Sequence, residues 1–297
     1  LGHDITPEKG RSWKAERHAM RERSTRPRNA CALFVVAALE ACARPAVVSR
    51  ATAFTSPGVD ATGAPRYAVV HVDHLQAGGL RRFATARKVW LDVLARHGTT
   101  DGRGLYLQTG DSGFLSLRPL RTLGELDGAP AAMKAALADL DPRDQKAYDD
   151  ASDALLVPPH RNEIWRFDPD LSFAAADPIA SLAAAAWGKM IAEEIDPSPA
   201  GADYEKAWAE IRAALEHEGY PLVRVAYWSR YGSGNLVSFW LSKSQVEFLH
   251  TKPVEATVEA ALGAEKASEL FARQRKAVLA SDSIDVIPRI DLSTKPL

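Results

Sequence analysis

The stretch 66–75, RYAVVHVDHL, sets His71 and Asp73 two positions apart. Residues two apart on a strand share a face. The pair therefore predicts an imidazole beside a carboxylate that orients the ring or raises its pKa. That chemistry suits a catalytic pair, with His71 as general base, metal ligand or haem ligand. It suits equally a hydrogen-bonded structural pair at a sheet rim. His71 and His74, three apart, point to opposite faces, so they share no metal ion, and no metal site is expected. Alternation places Ala68, Val70 and Val72 on a face expected to meet helices. Val69, His71 and Asp73 fall on the face expected to look inward. The other inward-looking candidates, read as ligand-binding, are Ser116 and Arg118 in one hairpin and Tyr227 and Trp240 in another. Arg118 could grip a carboxylate through two parallel N–H bonds or stand as a solvated charge. Trp90, Trp165, Trp208 and Trp228 read as core packing. His160 follows Pro158-Pro159 in a loop, and His97, His217 and His250 read as helix-end or surface residues. The chain contains no P-loop, dinucleotide-binding glycine motif, GxSxG or EF-hand loop.

The elements that must position these residues come in two matching sets. Phe83 and Tyr204, Ala86 and Ala207, Leu94 and Leu215, and Gly98 and Gly219 are each 121 residues apart, as are the sequences Asp170-Leu171-Ser172 and Asp291-Leu292-Ser293. A period this long indicates a duplicated domain. The first half, 66–175, reads as a strand over 66–75, a helix over 78–97 stopped by Gly98, and a hairpin around Gly110-Asp111-Ser112-Gly113. A helical stretch over 123–155 and a strand in NEIWRFDPDLS complete it. The second half, 186–297, repeats the order. It has a strand over 187–195, a helix from an Asp203 N-cap, and a hairpin turning at Gly232-Ser233-Gly234. A helix over 254–280 and a closing strand follow, the strand weakened by Pro288. The order β-α-β-β-α-β is a ferredoxin-like unit. Its helices cover one sheet face only, and a bare apolar face of that size needs a cover. The expected fold class is therefore α+β, two ferredoxin-like halves in tandem with sheets packed face to face as a pseudo-dimeric α+β barrel.

The N-terminus reads as an address. Residues 1–19 precede the first Met and read as an extension of the gene model. From Met20, Arg21, Arg23, Arg26 and Arg28 lead into an apolar run, Ala30–Leu39, with Ala41 and Ala43 after it. This is signal-peptide order, so 20–42 is expected to direct export to the periplasm or outside. Leu39-Glu40-Ala41-Cys42 is also close to a lipobox, which would leave a lipid anchor on Cys42; cleavage after Ala43 is the alternative. Residues 43–65 are a flexible linker rich in small residues and proline. The 297 residues carry a net charge of −1, and removing residues 1–42 leaves 29 basic against 33 acidic side chains. This balance gives no electrostatic reason to expect nucleic acid. No apolar run is long enough for a membrane span. The only cysteines, Cys31 and Cys42, precede the folded part, which argues against a thiol nucleophile or structural zinc there.

Over residues 66–293 the chain resembles the dimeric α+β barrel superfamily, fused into one chain. The segments that carry the resemblance are YDDASDALLVPPHRNEIWRFDPDLS, WGKMIAEEIDPSPAG and GSGNLVSFWLSKSQVEFL. It is most similar to uncharacterised secreted bacterial proteins with the same tandem, which bring no activity to carry over. The superfamily includes antibiotic-biosynthesis monooxygenases, haem-degrading monooxygenases and chlorite dismutases. The resemblance implies the fold and leaves three functions open. One is an exported protein that binds a small apolar or aromatic molecule in a barrel. Another is a cofactor-poor monooxygenase or haem-handling enzyme using His71 and Asp73. The third is a structural or assembly protein. No cofactor is required by the residues themselves, and haem enters only through the resemblance.

Overall fold

Val69, Val70 and Val72 are β-branched and favour a pleated strand, and they open the first of eight strands in a computed structural model of the protein. The structure describes residues 65–96, 104–127, 140–152 and 161–294, with 131, 134, 135, 138 and 157 between them. The signal segment, Cys42, most of the linker, His97, Gly98 and His160 lie outside the described residues. The strands are β1 (Tyr67–His74), β2 (Leu105–Thr109), β3 (Gly113–Leu120), β4 (Arg161–Phe167), β5 (Trp187–Ile195), β6 (Val223–Tyr231), β7 (Leu236–Ser242) and β8 (Val278–Pro288). They close into one barrel in the order β1-β3-β2-β8-β5-β7-β6-β4. Every pairing is antiparallel. Two seams join the early strands to the late ones: β4 to β6, with Arg166 opposite Trp228, and β2 to β8, with Gln108 opposite Ile287.

Pro288 sits within β8 without breaking it. The N–H of Arg289 donates to the Tyr106 carbonyl (2.7 Å) and that of Gly110 to the Asp285 carbonyl (3.2 Å). Odd-numbered residues of β8 thus address β2 here, and even-numbered ones address β5. The β5 pairing ends at Gly188–Val286, short of Pro288, so the missing N–H leaves no ladder bond unmade.

Among the described residues the helices of defined extent lie outside the barrel, save one. They are α1 (Leu80–Arg96), α2 (Pro142–Ser152), α3 (Pro178–Ala184), α4 (Pro199–His217), α5 (Gln245–His250), α6 (Val254–Leu262) and α7 (Ala264–Ala277). Phe83 and Ala86 of α1 pack on Leu75 and Phe114. Trp208, Ile211 and Leu215 of α4 pack with Val258 and Leu270 over Ala226 and Leu236. Three boundaries differ from the sequence expectation. Helix α4 begins four residues before Asp203, because Ser198 caps it, accepting from the Ala200 N–H (3.3 Å), and Pro199 fits the first turn. The helix expected over 254–280 is two helices broken at Gly263, whose φ of +85° only glycine adopts cheaply, and its last three residues belong to β8. In 123–155 the described residues form a 3-10 turn at Leu123–Leu126, are helical at 131, 134, 135 and 138, and then form α2.

The segment between the halves was not expected to be helical, yet it stoppers the barrel. Asp177 caps α3, accepting from the N–H groups of Ile179 and Ala180 (2.9 Å each), with Pro178 in the first turn. Leu182 is fully buried in the barrel cluster, and Ile179 and Ala183 pack against it. Just before it Ala174 takes φ +54°, a left-handed conformation uncommon without glycine.

Candidate functional site

Which side of β1 faces the barrel is settled by what its residues touch. Ala68, Val70 and Val72 cluster with Leu107, Leu117, Trp165, Tyr227, Phe239 and Val286, drawn from seven strands. Only the barrel interior brings seven strands together. The expectation that these small residues meet helices is reversed. They lie inside because Trp165, Tyr227 and Phe239 already fill the space opposite. His71 and Asp73 therefore point outward, to the side on which α1 packs.

There His71 is clasped. Its Nε2 lies 2.9 Å from Asp73 Oδ1, and its Nδ1 lies 2.6 Å from Asn162 Oδ1 on the neighbouring strand β4. Asp73 is 6% exposed. Burial alone would lower the ring's proton affinity, but the hydrogen bond and charge of Asp73, with Asn162, outweigh it and raise the pKa above 6.5. In the protonated ring both N–H groups donate to oxygen. The pair expected from sequence thus exists, but neither nitrogen is left for a substrate or an iron.

A raised folded-state pKa means that the folded state binds the proton more tightly. The clasp's stabilisation is fully present below pH 6.5 and is lost as pH rises through the folded value. The stability gap between wild type and His71→Gln, read from urea midpoints, should be larger at pH 5.5 than at pH 8.5. A gap that is flat or grows with pH would overturn the clasp.

The other sequence candidates do not converge. Ser116 lies opposite His71 on β3, and Arg118 opposite Val69, so both face outward with it. Trp240 faces outward too, under α4, where its ring meets Trp208 (6.1 Å) and Tyr220 (6.0 Å). Tyr227 alone looks inward as expected. It is 1% exposed, its hydroxyl has no hydrogen-bond partner among the described residues, and burial, with the Asp177 charge, pushes its pKa far up. The 121-residue spacing also misleads about faces. Being odd, it would map outward His71 onto inward Ala192, which packs against the barrel cluster.

Two buried polar clusters escaped the sequence reading. Glu193 accepts from the Tyr204 hydroxyl (2.9 Å), which accepts from Arg224 Nη2 (3.2 Å). Arg224 is 3% exposed, lies 3.9 Å over the Trp208 ring, and donates through Nη1 to the Leu171 carbonyl (3.1 Å). The Tyr204 pKa is pushed up to about 12, first by burial. At one barrel mouth the buried carboxylate of Glu163 accepts from Trp165 Nε1 (2.7 Å) and Ser229 Oγ (2.9 Å), and pairs with Arg161 Nε (3.1 Å). A side chain on Gly232 would run into it at 2.5 Å. One signal was available: Glu163 and Trp165, two apart on a strand, had to share a face.

An open site lies on the helical layer. A cavity of 380 Å³ sits between α4 and the α6–α7 corner, lined by Glu210, Ala213, Ala214, His217, Ala261, Leu262 and Lys266. Alanines on facing helices leave its apolar floor. Lys266 Nζ holds Glu210 (3.0 Å) and Glu269 (3.3 Å). His217 Nδ1 lies 3.0 Å from Glu218 Oε1, and its Nε2 makes no hydrogen bond among the described residues. The sequence reading placed His217 at a helix end on the surface, where it is, but could not place a cavity beside it. Among the described residues no group of three His, Cys, Asp or Glu side chains could hold a metal ion, and no helix is long and apolar enough to cross a membrane.

No known family model and no curated protein matches the chain. Several solved structures do. A putative monooxygenase from Fusobacterium nucleatum is 8% identical with a TM-score of 0.46, over 76% of this chain and 93% of that one. A chlorite dismutase from Candidatus Nitrospira defluvii is 9% identical with a TM-score of 0.42, over 76% and 92%. A haem-binding protein from Thermus thermophilus is 12% identical with a TM-score of 0.41, over 77% and 93%.

Proposed function

We propose that this chain is an exported small-molecule-binding protein built from two ferredoxin-like units in tandem, with its ligand on the helical side of the second unit. The duplication is supported by strand order: β4-β1-β3-β2 and β8-β5-β7-β6 are the same arrangement met twice. The observation that carries the function is the cavity of 380 Å³ at the α4–α6–α7 corner, within the usual range for ligand pockets. Inside the barrel Trp165, Tyr227 and Phe239 pack together with Leu182 of α3. The apolar floor fits an apolar or aromatic molecule, whose carboxylate would take the place of Glu210 or Glu269 at Lys266.

A second reading, haem handling, is favoured by one observation. His217, an exposed residue on the cavity's rim, has Nδ1 3.0 Å from Glu218 Oε1, a contact by which a carboxylate could steady an imidazole for iron. Haem would bring a redox-active iron, held there by His217 with Lys266 near its carboxylates. His71 does not fit such a ligand, since both its nitrogens are engaged. For the same reason a catalytic base at His71, oriented by Asp73, is not part of this reading.

Titration of the full chain separates the two. Decanoate, followed by calorimetry, is expected to bind saturably and to weaken at least ten-fold in Lys266→Glu. A saturable Soret shift with haemin, lost in His217→Ala and kept in His71→Ala, would select the haem reading. If neither probe binds, the small-molecule function is wrong and the structural role stands in its place.

A further inference from the structure

Strand β8 is longer than the strand beside it. Its eleven residues pair with β5 almost throughout, from Val278 to Val286. On the other side β2 reaches only Val286, Ile287 and Pro288, and the hairpin tip adds one bond, from the Gly110 N–H to the Asp285 carbonyl. Beyond that point nothing among the described residues pairs with β8. The parity fixed by the Asp285 and Arg289 bonds continues upstream as far as the irregularity near Ala280. The N–H and C=O groups of Ser281 and Ser283 therefore point out of the barrel's open seam, where the Ser283 N–H donates to Asp282 Oδ1 (2.8 Å), a contact an added strand would replace. Residues 279–285 are all exposed, with Leu279 at 58% and Ile284 at 37%.

Such an edge is a template for another strand. Its charge says which kind. Asp282 and Asp285 lie on β8, Glu194 is exposed opposite Ala280, and Asp111 is exposed at the hairpin tip. Lys189, 3.7 Å from Asp285, is the nearby cation in the adjoining strand. Apolar Leu279 and Ile284 flank the acidic residues. We propose that this seam is a docking surface for an extended, basic polypeptide segment, which adds as a strand beside Ser281–Ser283 and sets its Lys or Arg side chains against Asp282 on one face of the sheet or Asp285 on the other, with Asp111 at the hairpin tip. A second copy of this chain is the poorer occupant, because two acidic edges would meet.

The test uses the full chain and a fluorescein-labelled peptide of alternating lysine and valine, seven residues long, at low salt. Saturable binding is expected, at least ten-fold tighter than for the glutamate–valine peptide, and lost when the peptide is N-methylated at alternate residues. The last arm needs no protein variant, so misfolding cannot mimic it. Ser283→Pro, whose lost N–H faces the open seam, should weaken binding by a similar factor while leaving the circular dichroism unchanged. Equal binding of the acidic and basic peptides, or binding that survives N-methylation, would overturn the proposal. So would a concentration-dependent dimer by sedimentation that Ser283→Pro abolishes, since the occupant would then be a second copy.

Discussion

Trp165→Ala should cost the protein about 3–5 kcal/mol, the range for deleting a large aromatic side chain from a packed core. The ring stands inside the barrel, 5.8 Å from Tyr227 and 6.1 Å from Phe239, and is 3% exposed. Its loss would open a void that strands on all sides cannot collapse to fill. It would also remove the indole N–H that donates to the buried Glu163 carboxylate. Trp165→Phe keeps much of the volume and loses only the donor, so it should fall between the two. Urea unfolding followed by far-ultraviolet circular dichroism measures both. A loss under about 1 kcal/mol for Trp165→Ala would mean that the barrel is not the packed core described, and the case for a ligand outside it would weaken.

Arg224→Met should be comparably severe, about 3–5 kcal/mol, the usual cost of removing one partner from a buried charged set. The guanidinium is stacked on Trp208 and tied to Tyr204 and the Leu171 carbonyl, with Glu193 Oε2 at 4.0 Å. Methionine matches the volume but leaves the carboxylate without its counter-charge. Adding Glu193→Gln removes that orphaned charge. The double variant should therefore be more stable than Arg224→Met alone, by the same unfolding measurement. If Glu193→Gln makes matters worse, the cluster is not held by charge.

The sequence showed most of the strands because their period of two is local. It could not show which face of β1 met the barrel, since both faces of that strand are covered: Val70 is fully buried on one and Asp73 is 6% exposed on the other. Alternation then identifies two faces without ranking them. The 121-residue spacing carried the same ambiguity, since it sets outward His71 against inward Ala192. His71 and Asp73 were legible as a pair because they are neighbours on one strand. Asn162, which completes the clasp, arrives from β4 only through the register. The Asp177-Pro178 cap of α3 was readable, but that Leu182 enters the barrel depends on where the two halves place their mouths. The cavity beside His217 was beyond reach for a similar reason. Ala213 and Ala261 leave room only once α4 and α6 face each other.

The two seams also set an order of events for a chain being made. The inner faces of β1 to β4 have no cover until β5 to β8 exist, and β2 cannot close on β8 until almost the whole described chain is available. Contacts so distant in sequence form late. A partly synthesised or partly refolded chain would therefore present a naked apolar sheet with free edges, the species most prone to clump. This topology postpones closure of the early strands until the late ones are made.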